Sequence, residues 1–345
     1  MGVEWNRKRQ GRPMDDLRGF FDLQVNGYGG VDFNRDDLTA EGLHRACRCL
    51  EGDGVAGILA TIISDDLDRM AHRLANLAVL RARDDLARRI IVGFHIEGPF
   101  LNESPGYRGV HRAEAIRPAD PEAMERLLAA AAGLTRIVTL APERDAGMKV
   151  TKMLADRGVI ASAGHCDPTL DQLHAAIDAG LSMFTHLGNG CEQLMDRHDN
   201  IIQRALSLSG HLWLTFIADG FHVPLTALGN YFRAAGMDRC LVVTDDVAAA
   251  GAGPGRYTLG SQELIVDADR ITRGKNNHYL VGSAATMRQA MANLIDGLGL
   301  SPEQALRLTV TNPRKVLGCG GQLGGSPTQA AGAGIGLDMQ RCPPR

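Results

Sequence analysis

The sequence predicts a (β/α)8 TIM barrel, and three observations point that way. Eight short apolar runs rich in β-branched residues recur along the chain, patterns of helical spacing lie between them, and polar residues stand at the C-terminal ends of several runs. Most runs are continuously apolar, as expected of parallel strands buried on both faces. A doubly wound open sheet is the rival fold. It would spread the strand ends along an edge, whereas a barrel brings them to one mouth, where active sites are built.

Taken in order, the first run is Phe20–Val25, and the second is Gly57–Thr61. The third, Ile90–Glu97, closes on a carboxylate. Thr135–Leu140 is the fourth, and Gly158–His165 the fifth, closing on an imidazole. The sixth, Ser182–Leu187, carries His186 near its end. Leu212–Asp219 and Cys240–Asp245 each close on an aspartate. Between the fifth and sixth runs, Asp167-Pro168 offers an N-cap and an N1 proline, Leu170, Leu173 and Ile177 share one face, and Gly180 ends the segment. After the eighth run, Met287, Met291, Leu294, Ile295 and Leu298 keep a helical stripe. The polar segment Arg270–His278 reads as an exposed loop before a strand-like stretch at Leu280.

Length and composition set the frame. A chain of 345 residues fits two average domains or one barrel with long loops. The formal charge of −3 leaves no basic footprint for nucleic acid. The run Ala205–Ala218 is too short to span a bilayer, so no membrane partner is expected. The first residues lack an apolar leader core, and seven thinly spread cysteines contain no C-x-x-C pair. A cytoplasmic protein with reduced thiols is the expectation. Residues 1–18 form a polar N-terminal segment, 19–318 the barrel, and 319–345 a Gly-rich, loosely ordered tail.

The candidate chemistry lies at the strand ends. A lone histidine there is more often a hydrogen-bonded structural residue. Glu97, His165, His186 and Asp245 on four different runs are another matter. One carboxylate and two imidazoles form a normal ligand set for a divalent metal and leave a position open for water. Metal binding brings that water's pKa toward neutrality, and a nearby carboxylate can take its proton and pass it to a leaving amine. Asp245, closing Leu-Val-Val-Thr-Asp, is the candidate for that role.

The stretch Gly-Phe-His-Ile-Glu-Gly-Pro-Phe-Leu (93–101) resembles the amidohydrolase superfamily, and within it the N-acetylglucosamine-6-phosphate deacetylase family. Further matching segments follow one order: Asp22–Phe33, Gly164-His165, Thr185-His186-Leu187, Ala218–Val223, Val243-Thr-Asp245, Gly282–Met287 and Asn312–Gly318. The resemblance implies that Glu97, His165 and His186 hold one divalent ion, zinc first, with iron, cobalt or manganese as substitutes. It makes Asp245 the general base and then acid, and His111 a catalytic hydrogen-bond donor to the acetamido carbonyl. Val110, His111, Asn189, Gly190, His222, Leu280, Val281 and Gly282 fall at substrate-binding positions. Arg197 falls where the family places a phosphate-binding arginine supplied by the second subunit of a homodimer. Many amidohydrolases carry His-x-His on the first strand and bind two metals. Here the strand reads Gln24-Val25-Asn26, so one metal is expected, with both amides as hydrogen bonders.

The chain also departs from the family. The loop after the sixth run reads His186-Leu-Gly-Asn-Gly-Cys191, with two glycines where the family has larger residues. The short N-terminal segment and Gly-rich tail predict that the usual companion β-sandwich is reduced or missing. The expected activity is hydrolysis of N-acetylglucosamine 6-phosphate to glucosamine 6-phosphate and acetate. The alternatives are a different or unphosphorylated N-acyl amino sugar, an N-acyl amino acid, and a non-catalytic barrel that binds a sugar phosphate.

Overall fold

The computed structural model describes residues 19–274 and 280–318. Strand β1 (Phe20–Val25) is followed by a small hairpin, β2 (Gly27–Tyr28) and β3 (Val31–Asp32). Seven further strands then alternate with helices: β4 (Val55–Ile63), β5 (Ile91–Glu97), β6 (Thr135–Leu140), β7 (Ile160–Ala163), β8 (Leu181–Phe184), β9 (Trp213–Ile217) and β10 (Cys240–Val243). Each pairs in parallel with its neighbour, in the order β1-β4-β5-β6-β7-β8-β9-β10. The Asp245 amide donates to the Gln24 carbonyl (3.0 Å) and the Asn26 amide to the Asp246 carbonyl (2.9 Å), which closes the sheet into a barrel. All eight expected runs are strands of this barrel.

Alternation along the strands explains the packing. Phe94, Ile96, Val138, Leu214, Phe216 and Val242 face outward and join the apolar layer beneath the helices. Leu23, Leu59, Ile137, Met183, Ile217, Leu241 and Val243 form a separate cluster in the interior. On the same faces, one pleat further along, stand Thr61, Thr139 and Asp245. The interior therefore changes from apolar to polar toward the C-terminal ends.

Two local expectations are corrected. The helix Leu170–Asp178 is capped by Thr169, in a reciprocal capping box with Gln172. Asp167 instead takes an ion pair from Arg204 at 2.9 Å. Leu170 is exposed, and Leu173 and Ala176 supply the buried face. The second correction concerns a sheet of β11 (Gly255–Leu259), β12 (Gln262–Val266) and β13 (Thr272–Gly274). Part of the segment read as an exposed loop is thus strand, with Thr272 buried; residues 275–279 lie outside the described set. These strands bury one face only. Leu259, Leu264 and Val266 pack on Ile63, Val247 and Val281, so no continuous apolar run announced them.

The helix Met287–Ala292 and the turn that continues it bury Met287, Met291 and Leu294, with Ile295 and Leu298 packed alongside, as the stripe predicts. Among the described cysteines, Cys47, Cys166, Cys191 and Cys240 are free thiols. Among the described residues, no helix is long and apolar enough to cross a membrane. The expected segments 1–18 and 319–345, and with them the reading of a reduced companion sandwich, lie outside the described residues.

Candidate active site

The barrel mouth collects the strand-end residues. Glu97 is the last residue of β5, and His165, His186 and Asp245 each stand two residues beyond a strand. All three of the latter have left-handed backbones, with φ of +51°, +32° and +49°. Non-glycine residues adopt that region at a cost, and such strain concentrates where the surrounding structure dictates a side-chain direction. Here it turns the side chains inward.

Glu97, His165 and His186 meet at one point. His186 Nε2 lies 2.9 Å from Glu97 Oε1, His165 Nε2 lies 3.3 Å from the same oxygen, and the two nitrogens are 3.1 Å apart. His165 Nδ1 donates to the Tyr107 carbonyl at 2.7 Å, because a carbonyl only accepts. In the neutral ring its Nε2 then carries the lone pair. Two nitrogens and a carboxylate oxygen, all buried and converging, suit a divalent cation. The residues present therefore fit the metal that the family implies. Burial raises the Glu97 carboxyl, but its contacts with His165 and His186 outweigh it and hold the group well below its usual range. Burial lowers His186, and its contact with Glu97 more than reverses the effect.

Asp245 is positioned by amides from β1 and the residue after it. Gln24 Nε2 donates to Asp245 Oδ1 and to Glu97 Oε1, both at 3.1 Å, and Asn26 Nδ2 donates to Asp245 Oδ1 at 2.8 Å. Both amides thus act as the hydrogen bonders expected of them, and their carbonyl oxygens are buried without a partner. Burial, reinforced by the charge on Glu97, pushes Asp245 up to about 6. His111 packs edge-on against His165, with its Nε2 3.9 Å from Glu97 Oε2. Burial pushes it down to about 3, so the ring is neutral. Its Nδ1 meets Ser64 Oγ at 2.9 Å, and that hydroxyl also reaches the Glu97 carbonyl at 3.2 Å.

Asn26, Glu97, His111, His165, His186 and Asp245 line a cavity of about 570 Å3, as do Val110, Asn189, Gly190, His222, Leu280 and Gly282. Val281 does not: it is fully buried in the apolar cluster under the small sheet. Arg197 is exposed on the loop after His186 and is not part of the lining. The structure adds two groups that sequence reasoning missed, Ser64 and Glu192, and a partner for Asp219, which the sequence already places at a strand end. Ser64, next to the end of β4, bears on His111. Asp219 Oδ2 accepts from His222 Nδ1 at 2.6 Å and aims that ring. Glu192 accepts from the Gly106 amide at 3.0 Å and ties two rim loops together. Of the two missed groups, only Ser64 had a visible signal, a polar residue ending an apolar run.

No family model matches the chain. It is 32% identical over 308 residues to the N-acetylglucosamine-6-phosphate deacetylase of Bos taurus, covering 87% of this chain and 74% of that protein. It is 28% identical over 322 residues to the N-acetylgalactosamine-6-phosphate deacetylase of Escherichia coli O157:H7, covering 92% of this chain and 82% of the relative. A mutant of the N-acetyl-D-glucosamine-6-phosphate deacetylase of Mycobacterium smegmatis, solved in complex with N-acetyl-D-glucosamine-6-phosphate, superposes with a TM-score of 0.79 at 30% identity, covering 88% of this chain and 77% of that one. With the barrel, the converging Glu97, His165 and His186, and these likenesses together, the chain belongs to the N-acetylglucosamine-6-phosphate deacetylase family of amidohydrolases.

Proposed function

We propose that the chain hydrolyses the acetamide of N-acetylglucosamine 6-phosphate, giving glucosamine 6-phosphate and acetate. The observation that carries this reading is Asp245, held by two amide donors beside the Glu97–His165–His186 cluster in the cavity at the barrel mouth. When bound by those three residues, a divalent cation supplies Lewis-acid chemistry, polarising a carbonyl and making water a nucleophile near neutral pH. Two imidazoles and one carboxylate favour zinc, with iron, cobalt and manganese as substitutes.

Asp245 takes the proton of the attacking water as the C–O bond forms, then delivers it to the departing amine nitrogen as the C–N bond breaks. Its raised proton affinity suits a group that must both accept and release a proton. His111 donates from Nε2 to the acetamido oxygen, which requires the Ser64 hydroxyl to turn from the Glu97 carbonyl to His111 Nδ1. Asn189, Gly190 and His222 hold the sugar, with Val110, Leu280 and Gly282 around it. Arg197 of the partner subunit in a cytoplasmic homodimer meets the phosphate.

The test is acetate release by metal-quantified protein from N-acetylglucosamine 6-phosphate, N-acetylgalactosamine 6-phosphate and their unphosphorylated forms. Turnover is expected to favour the first. Metal-loaded protein that binds these sugars and releases no acetate overturns the catalytic reading, and preference for a free sugar overturns the phosphate reading.

A further inference from the structure

Below the cation cluster, the barrel interior holds four polar side chains, each at most 2% exposed: His95, Thr139, Thr185 and Ser162. Barrel interiors are ordinarily filled by aliphatic side chains. These four instead form one unbroken hydrogen-bonded chain. His95 Nδ1 meets the Leu23 carbonyl at 3.0 Å, and His95 Nε2 meets Thr139 Oγ1 at 2.7 Å. Thr139 Oγ1 meets Thr185 Oγ1 at 2.7 Å, and Thr185 Oγ1 meets Ser162 Oγ at 2.7 Å.

Elementary chemistry fixes its direction. The Leu23 carbonyl only accepts, so His95 Nδ1 carries the hydrogen. No carboxylate lies in hydrogen-bond contact with His95 among the described residues, and an uncompensated buried cation is costly, so the ring is neutral. Its Nε2 therefore accepts from Thr139, Thr139 accepts from Thr185, and Thr185 accepts from Ser162. The reverse direction would leave the Ser162 hydroxyl with no acceptor.

Each member adjoins a cation ligand. His95 precedes Glu97 by two residues on β5, Thr185 directly precedes His186, and Ser162 lies three residues before His165. Thr139 is in register with Glu97 on one side and Ser162 on the other, and its carbonyl accepts from the Gly98 amide at 2.9 Å. A Cβ on Gly164, beside His165, would lie 2.7 Å from the Thr139 methyl. The chain thus ties together the backbones that present all three ligands.

We propose that His95 is a positioning residue of the cation site, acting through the directed chain Ser162 to Thr185 to Thr139 to His95 to the Leu23 carbonyl. The inference rests on reading Glu97, His165 and His186 as that site. Thr139→Val nearly preserves volume but leaves His95 Nε2 without a donor and the Thr185 hydroxyl without its acceptor, whereas Thr139→Ser keeps the hydroxyl.

The test uses Co2+ as probe on the full chain, with affinity measured by competition against a chromophoric chelator and the ligand-field absorption recorded alongside. Thr139→Val is expected to weaken Co2+ binding about 10–100-fold and to alter the absorption bands, the scale seen when a ligand's support is removed. Its kcat should fall with KM little changed, and Thr139→Ser should stay within about threefold of the wild type on all readouts. If the wild type binds no Co2+, the reading of the site fails. If the wild type binds and Thr139→Val matches it in affinity and spectrum, the relay alone is overturned. A Thr139→Ser variant as weak as Thr139→Val also overturns it, because packing and not the hydroxyl then matters. Should Thr139→Val not fold, Ser162→Ala decides: weaker Co2+ binding supports the relay, and unchanged binding overturns it.

Discussion

The floor and the rim of the cavity are built on opposite terms. On the floor, Gln24, Asn26, Glu97, His165 and His186 are all buried; Gln24 bridges Asp245 and Glu97, Asn26 also holds Asp245, and His186 meets Glu97 and His165. Three of these side chains are aimed by strained backbone at strand ends. On the rim, the loop after His186 carries Gly188 and Gly190, an exposed Arg197 and a Leu194 that is 95% exposed, with the half-exposed Phe221 nearby. The contrast separates two kinds of information. Reaction class resides in side chains whose positions the barrel fixes. In the proposed reading, choice of sugar and recognition of phosphate fall to a loop that the barrel leaves open.

The largest effects should follow damage to the floor. His165→Ala removes one of two nitrogen ligands, and the expected outcome is loss of bound metal by elemental analysis together with loss of turnover. Unchanged metal content would exclude His165 as a ligand. Asp245→Asn should keep the metal, because Gln24 and Asn26 hold the position, yet lose about 10²–10⁴-fold in kcat. A variant of near-full activity would remove Asp245 from the mechanism. The pH dependence has a definite sign. Asp245 accepts a proton only when ionised, so kcat/KM falls as pH drops through its pKa. Burial and Glu97 place that pKa at about 6, and the positive charge of a bound cation moves the limb lower. An acid limb well above that value would point to another group.

Legibility followed the same division. Each barrel strand is apolar and continuous because it is buried on both faces, so all eight runs could be read directly. Glu97, His165, His186 and Asp245 stood out because each ends such a run. Gln24 and Asn26 were legible by contrast with the imidazoles that occupy those positions in relatives with two metals. The sheet Gly255–Gly274 was not legible, because it buries alternate residues only. Thr169 was passed over as a cap because Asp167-Pro168 carries the same kind of signal two residues earlier. The inward turn of Val281 could not be read, since it depends on a sheet that was itself unseen.

Gly190 stands where floor and rim meet, and it sharpens the contrast. Its φ is +57°, and a Cβ there would lie 2.8 Å from His165 Nδ1 and 3.0 Å from the ring carbons Cγ and Cε1. Gly190→Ala must therefore shift the loop or tilt a metal ligand. Backbone strain of this kind costs about 1–3 kcal/mol. If the loop yields, KM rises and metal affinity holds; if the ring yields, Co2+ binding weakens. Either outcome is expected to lower kcat/KM by about tenfold, the equivalent of roughly 1.4 kcal/mol. An alanine variant unchanged in both respects would show that the rim moves independently of the floor.

Arg197 offers the smallest effect and the most selective one. It is exposed, and no ion pair engages it among the described residues, so its removal should leave the fold and the metal untouched. A guanidinium meeting a phosphate makes charge-assisted, often bidentate hydrogen bonds. Exposed to solvent and salt, such a contact is worth less than a buried one. Arg197→Ala is therefore expected to raise KM for the phosphorylated sugar about tenfold, as the loss of one hydrogen bond to a charged group implies. KM for the unphosphorylated sugar and kcat for either should stay unchanged. The ratio of the two KM values, measured on wild type and variant at fixed ionic strength, isolates the phosphate contact from any general disturbance of the loop. An unchanged ratio would locate phosphate recognition elsewhere on the rim. If the contact is made across a dimer, the ratio should also drift toward the variant's value as the protein is diluted below its dimerisation constant, while metal content stays constant. That concentration dependence separates an arginine reaching into its own cavity from one supplied by a second subunit.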